Sequence, residues 1–202
     1  MRAHRRFGDD GRMSSVRQWS RRRILLSVAA GTVLAPLSGL ASAANAKSAP
    51  RRAAERWLEL FNTHTGETAA VAFRATTGFV AESLVTLARL LRDHRNGEQH
   101  PIDPMLYDQL ADLAIAAKVE PRFEVISGYR SPRTNARLAA NSSGVAKHSL
   151  HLEGRAIDVR LKSVSCATLR DLALEAGRGG VGYYRHSDFV HLDTGRFRTW
   201  AG

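Results

Sequence analysis

The sequence predicts a compact α+β fold: one domain with a central antiparallel sheet flanked by helices. Three observations lead there. Residues 155–161 (RAIDVRL) alternate strictly, with Ile157, Val159 and Leu161 on one face and Ala156, Asp158 and Arg160 on the other, the period of a strand. Residues 79–94 (FVAESLVTLARLLRDH) place Leu84, Leu87, Leu90 and Leu91 at helical spacing. Strand and helix patterns follow one another in mixed order with no internal repeat, and 202 residues with 44% hydrophobic content suit one core once a targeting segment is set aside.

The first element reads as an address. Ser20-Arg21-Arg22-Arg23 precedes an apolar run from Ile24 to about Leu40, interrupted by Gly31 and Pro36. Small residues close it, Ala41-Ser42-Ala43 and then Ala44-Asn45-Ala46. A charged start, a short apolar middle and an Ala-x-Ala end describe a signal peptide, here residues 1–46, and the arginine pair resembles a twin-arginine export signal. The run is short and only mildly apolar for a span of about 20 residues, which weighs against a retained anchor. Cleavage is expected after Ala46 or Ala43, with delivery to the periplasm and no stable membrane insertion afterwards. Residues 47–55 read as a polar linker and 56–202 as the working domain.

Two short strands come next, 57–61 and 67–75, joined by the turn formers Asn62 to Gly66. The helix over 79–94 follows. Asp103 as N-cap and Pro104 at the first helical position open a second helix, which runs to about Ala117. Residues 122–127 read as a strand, 132–140 as a short helix opened by proline, 155–161 as the alternating strand and 165–176 as an amphipathic helix. Strands at about 180–184 and 189–194 complete the order, and the Gly179-Gly180 pair is expected to allow a close backbone approach.

The formal charge of +11 suggests a nucleic-acid partner until its distribution is considered. Residues 1–46 hold eight arginines and two acids, leaving 22 basic and 17 acidic residues, a charge of +5, for the remainder. That excess suits a polyanionic substrate without specifying one, and no nucleic-acid partner is expected. Cys166 is the one cysteine, so an intrachain disulfide is excluded and a buried, inert thiol is expected.

Three segments concentrate the unusual polar residues: Ser127 to Ser131, Lys147 to Asp158 and Ser187 to Gly195. His151 lies in a loop with Asp158 seven residues later on a strand, and Gly154 permits the turn between them. On the last strand Val190 and Leu192 face the core, so Phe189, His191 and Asp193 take the other side. Taken singly, a surface carboxylate and two structural histidines would be the ordinary readings. As a set, two imidazoles and a carboxylate on separate elements make a three-ligand zinc site for one ion, with the fourth position left to water. Asp188, three residues before His191, is a candidate general base at the strand entrance. Arg130 is a candidate for binding a substrate carboxylate or steadying an oxyanion.

The pattern Ser149-x-His151-x-x-Gly154-x-Ala156-x-Asp158, followed by Asp188-x-x-His191, resembles the D-Ala-D-Ala metallopeptidases, and more distantly the lysostaphin-type and hedgehog domains. The segments SGYRSPRTN, GVAKHSLHLEGRAIDVRL, GGVGYY and DFVHLDTGRFRTW bring it closest to the YcbK-like murein endopeptidases, over about residues 56–200. The resemblance implies a hedgehog-like fold, zinc on His151, Asp158 and His191, Asp188 in the base position and Arg130 beside the substrate. It implies a peptidoglycan substrate whose stem peptides are rich in free carboxylates. Where the dipeptidases of this group carry Glu, Asp188 is one methylene shorter. His148 is read as lining the cleft or capping its loop, His186 as a candidate for stabilising the transition state, and Asp193 as the partner that orients a ligand histidine. His64 in its turn and His94 at the end of a helix, where the dipole favours a cation, are read as structural. A monomeric murein endopeptidase is the expected function. The alternatives are a carboxypeptidase or dipeptidase on free stem peptides, and a wall-binding domain that keeps zinc without turnover.

Overall fold

A computed structural model of the chain describes residues 55–141, 146 and 148–202. The export signal expected over 1–46 and the linker up to residue 54 lie outside the described residues. Among the described residues, no helix is long and apolar enough to cross a membrane.

The strands are β1 (Arg56–Asn62), β2 (Thr68–Ala75), β3 (Gly78–Phe79), β4 (Arg122–Ser127), β5 (Ala156–Leu161), β6 (Gly180–Tyr184), β7 (Phe189–Asp193) and β8 (Arg198–Ala201). The helices are α1 (Ala81–Leu90), α2 (Pro104–Ala116), α3 (Pro132–Asn141) and α4 (Cys166–Ala176), with a short 3-10 helix over Leu150–Glu153. All eight strands form one sheet in the order β3-β2-β1-β4-β5-β7-β6-β8. The α+β class holds, and the described residues form one compact domain.

The sheet is mixed where an antiparallel one was expected. β1 pairs with β4 in parallel because the chain returns through α1 and α2, the long crossover that a parallel pair needs. β6 and β8 are also parallel, because the chain leaving β7 crosses the start of β6 to reach its far side. That crossing is tight. A Cβ on Gly179 would meet the Asp193 carbonyl oxygen at 1.8 Å, so the backbone approach expected of the glycine pair is real. β3 and β8 are short, with two and four residues, and carry too little hydrophobic alternation to be found by periodicity.

The core lies between one sheet face and the helices. Leu58, Leu60, Ile157, Val159, Val190 and Leu192 are completely buried. Tyr107 and Leu110 of α2 and Leu169 and Ala173 of α4 are equally buried in the same cluster. Asp103 caps α2 by accepting the Met105 N–H at 3.0 Å, with Pro104 opening the helix. Ser165 caps α4 through the Thr168 N–H at 3.1 Å, and Gly177 ends it in the left-handed region at φ 60°.

α1 ends at Leu90, four residues short of the predicted boundary. Asp93 is buried and turned inward, where its carboxylate accepts the Ser131 N–H at 3.0 Å and the Ser131 hydroxyl at 2.7 Å. Its carbonyl takes the Gly97 N–H at 2.8 Å, so a local turn replaces the next helical turn. His94 therefore does not sit at a helix end as a cation. It stacks on His64 with ring centroids 3.9 Å apart, and burial lowers its pKa to about 4. Cys166 is buried, and burial pushes its thiol up to about 11, as expected of an inert cysteine.

Candidate metal centre

His151 stands on the 3-10 helix, and the motif around it has a local cause. Ser149 caps that helix by accepting the His151 N–H at 3.4 Å. Gly154 closes it at φ 65°, a conformation that favours glycine. A Cβ there would also strike the Pro101 carbonyl oxygen at 2.1 Å, so the position is closed to side chains on two counts. Asp158 and His191 are directly paired neighbours on β5 and β7 and share the sheet face opposite Ile157 and Leu192. The same cross-strand row continues through Gly182 on β6 to Trp200 on β8.

His151, Asp158 and His191 are all buried and bring three ligand atoms together. His191 Nδ1 lies 2.9 Å from Asp158 Oδ1 and 3.2 Å from His151 Nε2, and His151 Nε2 lies 3.3 Å from Asp158 Oδ1. The outward nitrogens are committed elsewhere. His151 Nδ1–H donates to the Gly128 carbonyl at 2.7 Å, and His191 Nε2–H donates to Asp193 Oδ2 at 3.1 Å. Carbonyl and carboxylate oxygens only accept, so these bonds fix both tautomers and leave Nε2 of His151 and Nδ1 of His191 as lone pairs. Three acceptors then face one another, an arrangement that needs either a shared proton or a cation. Their spacing suits one: ligand atoms about 2.0–2.1 Å from a tetrahedral centre lie roughly 3.3 Å apart.

The electrostatics agree with an anionic, acceptor-rich site. Burial alone would raise the Asp158 carboxyl, but the two histidines hold it well below the usual carboxylate range. Burial alone would lower the His191 imidazole, yet its hydrogen bonds to Asp158 and Asp193 raise it. Asp193 is fully buried and likewise held down, despite burial, by His191, Arg198 and the Gly180 and Gly195 amides. Arg198 grips it with Nη2 at 2.6 Å from Oδ2 and Nη1 at 3.1 Å from Oδ1. Asp193 thus occupies the orienting position expected for it behind His191.

The cluster lies in a cleft of about 740 Å³ whose lining includes Arg130, His148, Tyr184, Phe189 and Trp200. Arg130 leans over the site, with Nη2 3.9 Å from Asp158 Oδ2 and its buried Nε without a hydrogen-bond partner. His148 is exposed at the cleft. The other two candidates lie apart from the residues that line the cleft. Asp188 does not line the cleft: its carboxylate is exposed and lies 3.6 Å from Arg160 Nε. Asp188 precedes β7, so the strand's alternation does not place it, and its carboxylate is drawn to Arg160, two residues beyond Asp158 on β5. Asp188 also adopts φ 50° in the turn before β7. His186 is exposed in that turn and does not line the cleft either.

The aromatic wall was missed by the sequence reading. Tyr184 and Phe189 stack at 4.5 Å between centroids, Trp200 lies 5.0 Å from the His191 ring, and Trp200 Nε1–H donates to the Tyr184 hydroxyl at 3.0 Å. Gly182 makes the seat for Trp200, because a Cβ there would meet the indole at 2.5 Å. The GGVGYY segment held this signal, but its meaning depends on β8, which sequence periodicity does not reveal.

Comparison with known proteins agrees with this geometry. The family model Peptidase_M15_2, described as "Peptidoglycan L,D-endopeptidase MepK", matches residues 51–200. The peptidoglycan L,D-endopeptidase MepK of Escherichia coli strain K12 is 40% identical over 183 residues, covering 90% of this chain and 97% of that protein. The probable peptidoglycan L,D-endopeptidase MepK of Haemophilus influenzae is 38% identical over 176 residues, covering 87% and 91%. No solved structure matches the chain.

Proposed function

Because the chain belongs to the Peptidase_M15_2 family, we propose that it hydrolyses peptide cross-links of peptidoglycan, at the L,D bond for which its relatives are named. The observation that carries this reading is the buried trio of His151, Asp158 and His191, with both imidazole tautomers fixed by outside acceptors, at the floor of an open cleft. Such a donor set suits one zinc ion, which when bound supplies a Lewis acid and makes water a nucleophile at neutral pH.

The protein's own groups do the rest. His151 Nε2, His191 Nδ1 and Asp158 Oδ1 would hold the ion, while Gly128 and Asp193 keep the two rings from turning. Arg130 presents an unpartnered guanidinium nitrogen close to Asp158 and receives either a substrate carboxylate or the oxygen that gains charge during attack. The proton released from water needs an acceptor in the cleft. Asp188 faces Arg160 outside it, so the role passes to His148, whose imidazole takes the proton and returns it to the leaving amine. Tyr184, Phe189 and Trp200 form an apolar wall beside His191 against which the substrate backbone rests.

Residues 1–46 complete the reading as a twin-arginine signal, which would carry the folded domain to the wall. The test of the activity is the mass of fragments released from purified sacculi by zinc-loaded protein. Loss of L,D cross-linked fragments with gain of un-cross-linked ones is expected. Trimming of terminal residues alone would make the protein a carboxypeptidase, and release of nothing would leave the wall-binding alternative.

A further inference from the structure

The domain pairs most of its arginines with carboxylates, among them Arg56, Arg74, Arg92, Arg155, Arg160 and Arg198. One cleft breaks this habit. Arg95, Arg133 and Arg137, with Asn96 and Thr134, line a depression of about 300 Å³ apart from the metal centre. Among the described residues, none of these three guanidiniums has a hydrogen bond or ion pair, and all three residues are exposed.

The cleft is held in shape by buried contacts. Asp93 orders the loop that carries Arg95, accepting the Arg95 N–H at 3.0 Å on Oδ1, and takes the Ser131 N–H and hydroxyl on Oδ2. Asn96 Nδ2 donates to the Ser131 hydroxyl at 2.9 Å, and Thr134 N–H donates to the same oxygen at 3.3 Å. The loop after α1 and the start of α3 are thereby fastened together. Arg133 and Arg137 stand four residues apart on α3, so they are neighbours on its surface. Like charges so placed repel, at a cost that an anion between them removes. The nearby acids do not fill this role. Asp93 is buried and spent on Ser131, and Glu98 is engaged by the Tyr129 hydroxyl at 3.1 Å and by Asn96 at 3.3 Å. Arg133 follows Arg130, which lines the metal cleft, by three residues along the chain.

We propose that Arg95, Arg133 and Arg137 form a second substrate site, which binds the free carboxylates of a stem peptide next to the one being cut. The site rests on the murein reading above and deepens it: the enzyme would grip the polymer at two points and hydrolyse it at one. Linked contacts raise apparent affinity for a polymer without any new contact at the scissile bond. Polymeric murein, and not a small fragment, is the ligand that can occupy both places together.

The experiment measures binding and turnover separately. The full chain and the triple variant R95Q/R133Q/R137Q are sedimented with insoluble purified sacculi in the presence of a chelator, so that the polymer stays intact. Each is then assayed, zinc-loaded, on a soluble cross-linked fragment. The variant is expected to lose about tenfold in sacculus affinity, the scale that three exposed charge contacts reach together, with fragment turnover within about twofold of the parent. Amidating the sacculus carboxylates should weaken the parent by a similar factor and leave the variant unchanged. Equal sedimentation of parent and variant would overturn the site. So would an undiminished difference between them on amidated sacculi, which would assign the arginines to another wall anion such as phosphate. Failure of the parent to cut the soluble fragment would instead overturn the activity, which the sedimentation does not depend on.

Discussion

His191 and Asp193 stand on the same face of one strand, and 3.1 Å separates the imidazole Nε2 from the carboxylate Oδ2. This contact directs the other nitrogen, Nδ1, toward Asp158 and His151. Replacing Asp193 by Asn keeps the shape and removes the charge that fixes the tautomer. We expect Asp193→Asn to weaken zinc binding by about 10–100-fold, read by competition against a chelator of known affinity. Unchanged affinity would show that the ring is oriented by packing alone.

Asp188 and His148 separate cleanly as candidates for the base. Asp188→Ala should retain zinc and near-parental turnover, since its carboxylate faces Arg160. His148→Gln should retain zinc and lose at least ~10²-fold in kcat, the usual scale for a missing general acid or base. The reverse pattern on a cross-linked fragment would restore Asp188 to the mechanism and require the turn before β7 to rearrange on substrate binding.

Gly182 is the one position in the cross-strand row that has no side chain, and Trp200 occupies the space above it. Gly182→Ala should displace the indole, destabilise the fold by about 1–3 kcal/mol and raise KM more than it lowers kcat. Thermal melts and the tryptophan emission spectrum check the first two effects. A variant with parental stability and emission would mean that the indole shifts without cost.

His94 gives a pH signature outside the metal centre. Burial first, then the Arg95 charge and His64, lower its pKa from 6.5 to about 4. A folded-state value below the unfolded one means that the unfolded chain binds the proton more readily. The contribution to stability is therefore complete above pH 6.5 and is lost as pH falls toward 4. Urea midpoints between pH 4 and 7 should show this slope, and His94→Phe, which keeps a ring against His64, should flatten it. An imidazole resonance titrating near pH 6.5 would contradict the assignment.

Export can be tested without reference to the fold. Changing Arg21 and Arg22 together to Lys should leave uncleaved precursor in the cytoplasm. Normal delivery of that double variant would remove the twin-arginine route.

The sequence by itself determined the order of the main elements and the residues most able to hold a metal. Those features have local causes: the alternation of 155–161, the leucine spacing of 79–94, the Asp103-Pro104 start, and Gly154 closing the turn behind His151. It also placed Asp193 behind His191, because a two-residue offset on a strand keeps both on one face. The rule does not reach Asp188, which lies in the turn before β7, and only the structure placed its carboxylate beside Arg160. Tertiary structure alone decided what depends on partners distant in the chain. The parallel pairing of β1 with β4 follows from the return path through two helices, and α1 stops early because Asp93 bonds to Ser131, 38 residues away. The aromatic wall exists because β8 is placed by its pairing with β6, and four residues carry too little periodicity to announce a strand. Local pattern specifies which face a side chain takes; only the assembled sheet specifies what it meets there.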